Sequence, residues 1–228
     1  MPLHTERVGD ATLLELRRPE KAHAYTPELL GELEAAIGAV ETHVVVVASS
    51  GERAFCAGAD LERMKLADPA DALELLAQRV FDRLARAPFV SIAAVQGAAV
   101  GGGFELAMAC DLRVAGPRAR FWLPETGLGL IPAAGGCSRL PALVGQARAR
   151  DVILGGRQLS ASDALAWGLV SEVADDPRGR AFERAADVAR RDPVALQLAK
   201  GVLDAELDAS LRAERVAEAF LYGRKQRS

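Results

Sequence analysis

Apolar positions in this chain fall into two kinds of run. Residues 11–16, 44–47 and 90–95 are short and almost uninterrupted in apolar or β-branched residues, the pattern of strands buried on both faces. Leu29, Leu30, Leu33, Ile37 and Val40 instead recur at helical spacing behind Thr26-Pro27, an N-cap residue followed by proline at the first helical position, which predicts a helix over 27–40. A second long helix is expected over 71–86, stopped before Pro88, and a buried, small-residue helix runs from the glycines at 101–103 toward Asp111. Short strands are expected at 112–115 and 120–123, then a Gly- and Pro-rich but apolar loop over 124–136. Helices follow at 146–154, 162–167, 179–191, 194–206 and 209–221, with a short strand at 169–173. Strands alternating with helices in this way predict an α/β fold with parallel pairing.

Composition narrows the class. A chain of 228 residues, 50% hydrophobic and 26% charged, is long enough for a sizeable core and ordinary for a globular enzyme. The formal net charge of −3 gives no basic footprint for nucleic acid. Three widely spaced cysteines, Cys56, Cys110 and Cys137, indicate neither a disulfide framework nor a metal site, which fits a reducing compartment and a cytoplasmic location. No apolar leader and no membrane-length apolar run is visible, so no membrane association is expected.

The candidate chemistry centres on Gly101-Gly102-Gly103 with Glu105, between a buried strand and a buried helix. A helix N-terminus leaves backbone N–H groups without intrahelical acceptors and carries partial positive charge, so an oxygen bearing negative charge is stabilised there. Glycines remove each Cβ from the approach. No GxGxxG or GxxxxGK[ST] pattern is present, which leaves a nucleotide cradle unsupported, and Ser138 lacks the GxSxG setting of a hydrolase nucleophile. His4, His23 and His43 show no ligand spacing, and Trp122 and Trp167 read as core.

Four motifs in order then carry a family resemblance: Arg18-Pro19-Glu20-Lys21 with Ala24; Ala54-Phe55-Cys56-Ala57-Gly58-Ala59-Asp60-Leu61; Gln96-Gly97 through Gly101-Gly102-Gly103-Phe104-Glu105-Leu106-Ala107; and Pro124-Glu125 with Gly127, Ile131-Pro132 and Gly135-Gly136. The chain resembles the enoyl-CoA hydratase/isomerase (crotonase) superfamily from about residue 10 to about 222, most closely its hydratases. The resemblance implies a spiral of ββα units over 1–175 and a C-terminal helical region over 176–228, shorter than usual, that serves trimer or hexamer assembly. It also implies an acyl-CoA thioester as substrate, with coenzyme A part of that substrate and no separate cofactor or metal.

Carried over by position, Ala59 and Gly102 would be the backbone donors to the thioester oxygen. Glu105 would activate water and Glu125 would deliver a proton to C2, since hydration needs one group to take a proton and another to give one. Ala22, Ala24, Ala57, Asp60, Leu61, Gly101, Leu128 and Ala133 would line the substrate site. Ala133 replaces a glycine usual in hydratases, which keeps the N–H but adds a methyl group. His23 and Tyr25 replace the usual Asn and Leu beside the expected adenine pocket, and Glu62 stands where a lysine is common near the CoA phosphates, with Arg53, Arg63 or Lys65 as substitutes. The alternatives are isomerisation or another thioester-enolate reaction on the same fold, or a non-catalytic acyl-CoA- or RNA-binding member.

Overall fold

The computed structural model describes residues 1–60 and 75–203. The hairpin of β1 (Leu3–Val8) and β2 (Ala11–Leu16) leads through helix α1 (Pro27–Gly38) to β3 (Val44–Ser49) and β4 (Ala54–Cys56). After α2 (Leu76–Ala85) come β5 (Val90–Val95), β6 (Ala98–Val100), α3 (Gly102–Ala109), β7 (Leu112–Ala115) and β8 (Arg120–Trp122). A 3-10 turn at Glu125–Leu128 precedes α4 (Gly136–Val144), α5 (Gln146–Ile153), β9 (Leu159–Ser160), α6 (Ala161–Ala166), β10 (Glu172–Val173), α7 (Pro177–Ala189) and α8 (Pro193–Leu203).

The consecutive pairs β3/β4, β5/β6 and β7/β8 each split between two sheets. β3, β5 and β7 join a six-stranded sheet of order β1-β2-β3-β5-β7-β10, while β4, β6 and β8 join a short sheet of order β4-β6-β8-β9. Only β1 with β2 and β8 with β9 pair antiparallel; the other registers are parallel. Repetition of long strand, short strand and helix is the expected spiral of ββα units, here an α/β fold.

Burial explains the uninterrupted apolar runs. Successive side chains of a strand point to opposite faces. Val45 and Val47 enter the larger core with α1, α2 and α3, whereas Val44 and Val46 meet Ala181, Ala185 and Val188 of α7. With both faces covered, alternation disappears, and each fully buried valine contributes about 1.5–3 kcal/mol. The predicted cap of α1 is present, with Thr26 accepting from Leu29 N–H at 3.3 Å and Pro27 opening the helix.

The differences from expectation have local causes. β1 is an edge strand whose side chains are mostly exposed, so it carries no apolar run. β4 and β6 have three residues each, too few for a period. The stretch after the expected loop, to which the sequence assigns no element, is α4, which begins on glycine and holds Pro141 inside, two features that suppress a helical reading. Trp122 and Trp167 are only partly buried, and the Trp167 ring carries the Arg148 and Arg157 guanidinium groups at 5.2 and 4.8 Å. No helix of the described residues is long and apolar enough to cross a membrane. The helix expected at 209–221 and the start of the one expected at 71–86 lie outside the described residues.

The short sheet meets the buried helix in a close backbone contact. A Cβ on Gly103 would collide with the Cys56 carbonyl at the end of β4. Gly103→Ala is therefore expected to destabilise the chain by about 1–3 kcal/mol, read as a lower urea midpoint with unchanged slope. A midpoint equal to wild type would contradict this packing.

Candidate active site

The chain turns from β6 into α3 at Gly101, whose φ of 51° and ψ of −126° suit glycine alone. Gly101 O accepts from Phe104 and Glu105 N–H at 2.8 and 3.0 Å, which aims the first amides of α3 outward. The segment after β4 lies across this helix start. Gly58 has a φ of 87°, and a Cβ there would stand 3.1 Å from Gly102 N and 2.9 Å from Val100 O. Gly58 O accepts from Tyr25 N–H at 2.8 Å, and Asp60 N–H donates to Tyr25 O at 3.0 Å. Ala59, bridged to Tyr25 in parallel fashion, thus turns its own N–H away from that ladder. Among the described residues, no acceptor takes the Ala59 or the Gly102 N–H. Two backbone donors from different elements stand side by side, the arrangement that stabilises an oxyanion.

Two carboxylates follow, one a turn into the helix that the hinge begins and one at the hinge itself. Glu105 is 3% exposed, and its Oε1 accepts from both Ala134 N–H and Gly136 N–H at 2.8 Å. The carboxylate caps α4 from another element, since the N-cap Gly135 has no side chain to do so. Glu125, on the turn after β8, reaches the hinge: a Cβ on Gly101 would lie 2.6 Å from its Oε1. The loop between them is held at its carbonyls. Gln78 Nε2 donates to Ala133 O at 2.8 Å and Arg139 to Ala134 O at 3.0 Å. Ala133 is itself buried.

The remaining wall is built from two adjacent loops. Ala57 N–H donates to Ala22 O at 3.0 Å, and Arg18 bonds Ala24 O and reaches Asp60 at 3.3 Å. These contacts bring Ala22, Ala24, Ala57, Ala59 and Asp60 together beside Gly101 and Gly102. Leu128 shares the turn with Glu125 but is half-exposed. Leu61, Glu62, Arg63 and Lys65 lie outside the described residues, while Arg53 is exposed on the surface.

Two neighbouring residues differ from their expected setting beside a purine pocket. His23 is 2% exposed; its Nδ1 accepts from Arg18 N–H at 3.1 Å and its Nε2 faces Ser50 O at 2.8 Å, so the ring is a neutral tie beneath the loop. Tyr25 stacks edge-on against Phe81, with ring centroids 5.7 Å apart. Its hydroxyl rests on Gly102, where a Cβ would collide with it. Sequence reading passed over Gln78 because a glutamine within a polar helical stretch carries no motif; only the distant Ala133 carbonyl reveals its part.

Residues 9–228 match the family model described as enoyl-CoA hydratase/isomerase. The chain is 35% identical over 227 residues to the short-chain-enoyl-CoA hydratase of Clostridium acetobutylicum, covering 94% of this chain and 86% of that protein. It is 41% identical over 217 residues to the 2,3-dehydroadipyl-CoA hydratase of Escherichia coli, covering 92% and 84%. The crystal structure of an enoyl-CoA hydratase from Bacillus anthracis superposes with a TM-score of 0.86 at 32% identity, covering 97% of this chain and 90% of that one.

Burial holds His23 below its ordinary pKa of 6.5. The fold favours the neutral ring, so its contribution is complete above pH 6.5 and is lost as pH falls from there toward the lowered folded value. Wild-type urea midpoints should fall through that window, and His23→Gln should flatten this part of the profile; the same fall in both chains would contradict it.

Proposed function

The chain belongs to the enoyl-CoA hydratase/isomerase family, and from that premise we propose that it adds water across the double bond of a 2-enoyl-CoA. The observation that carries the reading is that Glu125 borders the glycine hinge, and Glu105 sits in the first turn of the helix that starts there, beside two outward backbone N–H groups.

In this reading the thioester oxygen lies between Ala59 N–H and Gly102 N–H. Polarising that carbonyl makes C3 electrophilic and lets C2 carry charge as an enolate. Because both donors are backbone amides held by the fold, they need no reorganisation as the charge develops; one such donor is worth about 2.7–4 kcal/mol in other enzymes. Glu105, its carboxylate fixed through Oε1, takes a proton from water as the oxygen attacks C3. Glu125, beside the hinge at Gly101, delivers a proton to C2. The small residues Ala22, Ala24 and Ala57, with Gly101 and Ala133, leave room for the thioester, and Asp60 braces that wall through Arg18.

The buried Ala133 methyl group narrows the space beside Glu105 and favours, as a second reading, isomerisation of a 3-enoyl-CoA through the same enolate. We also infer a homotrimer or a dimer of trimers. The apolar side chains Val194, Leu198 and Val202, exposed along α8, form the described surface on which that contact would fall.

Crotonyl-CoA should lose its conjugated ultraviolet absorbance on mixing with the protein. Glu105→Gln and Glu125→Gln should each slow this by about 10²–10⁴-fold. The amide oxygen of Glu105→Gln can still accept from Ala134 and Gly136, so that variant should keep its thermal stability. Full activity in both variants would overturn the reading, and turnover of a 3-enoyl-CoA alone would favour the isomerase.

A further inference from the structure

We propose that Gln78 is a positioning residue for Glu105, acting through the single peptide unit that joins Ala133 to Ala134; this rests on the reading of Glu105 as the group that activates water. Gln78 Nε2 donates to Ala133 O at 2.8 Å, and the N–H of the same peptide, that of Ala134, donates to Glu105 Oε1 at 2.8 Å. A peptide unit is planar, so its carbonyl and its N–H cannot turn independently. Fixing the oxygen from α2 therefore fixes the direction in which the N–H meets the carboxylate. The two bonds also polarise one another, because a carbonyl that accepts a hydrogen bond leaves its N–H a stronger donor in a dry interior.

The surroundings fit a built device. Gln78 is 3% exposed, a position at which an amide is costly to bury and useful only when bonded. One helical turn further along α2, Asp82 lies 3.4 Å from Arg139, which holds the next carbonyl, that of Ala134. Residues four apart share a helix face, so α2 presents both grips to the loop at once. Gly136 N–H, the second donor to Glu105, follows directly in α4. The position of the base is thereby tied to a helix that carries no group of the hinge itself.

The test uses the full chain and four variants: Glu105→Gln, Gln78→Met, Glu105→Ala, and the double variant of the last two. Gln78→Met keeps the length of the side chain and removes the donor, with Gln78→Leu in its place should the methionine variant not fold. Where wild type hydrates crotonyl-CoA and Glu105→Gln does not, Gln78→Met should lower kcat about ten- to a hundredfold with KM unchanged. The acid limb of its pH profile should move to higher pH, because a weaker Ala134 donor supports the carboxylate less. Among the described residues, the other charged groups around the loop are Glu125 on its turn, Arg139 on α4 and Asp82 on α2, all left in place by this substitution.

An unchanged kcat, or an unmoved acid limb with kcat and KM altered together, overturns the proposal. Should wild type fail to hydrate crotonyl-CoA, the parent reading falls and the stability cycle decides the relay by itself. The Gln78→Met and Glu105→Ala effects on the unfolding constant should then combine to less than their product. Multiplication within about twofold would mean independent sites and overturn the relay.

Discussion

The structure depends on how closely two stretches of backbone approach one another. The end of β4 lies against the start of α3, with the Cys56 carbonyl at Gly103 and Gly58 at Gly102. No side chain fits between them. This one contact sets the spacing of the two sheets against the buried helix. It also leaves two amide groups from separate elements next to one another with their donors outward. Packing and chemistry come from a single constraint: substitution at these glycines disturbs the core and the candidate donor pair together.

The carboxylate of Glu105 shows the same economy. One of its oxygens caps α4 through two backbone amides, so a charged group inside the core is partnered rather than stranded. That partnership also fixes where the second oxygen can point. Glu125 reaches the hinge from a 3-10 turn whose geometry is set by local bonds, among them Leu130 N–H to Glu125 O at 2.9 Å. One carboxylate is held by the N-terminus of another helix and the other by a short turn, and two such differently supported groups suit the distinct proton transfers of the proposed hydration.

Polar side chains do much of the joining elsewhere. Gln96 Nε2 lies within 2.8 Å of Ser49 Oγ and 3.1 Å of Ala54 O, tying the corner after β5 to the corner after β3. Buried Arg113 donates to the Leu169 and Cys110 carbonyls, and Lys200 of α8 bonds Asp111 just past α3 at 2.8 Å. Each of these groups reaches a place where a strand or helix ends and leaves backbone carbonyls or a carboxylate to satisfy. The apolar layers supply the bulk of the burial, and these ties determine how successive ββα turns stack.

What the residues alone determined is what depends on local pattern. Runs such as 44–47 announced strands covered on both sides, Thr26-Pro27 announced a helix start, and the four motifs carried the family and with it the spiral. Elements governed by long-range contacts were not legible: β1 draws its order from pairing with β2, the three-residue β4 and β6 draw theirs from neighbours, and α4 forms around Pro141 because Glu105 caps it from another helix. The same division runs through the site. Glu105, Glu125, Ala59 and Gly102 could be named from their motifs, whereas the inward turn of His23, the rest of Tyr25 on Gly102 and the grip of Gln78 on Ala133 exist only once the chain is folded. A hydrogen bond across 55 positions leaves no period or spacing in a single sequence, so only the tertiary structure could decide it.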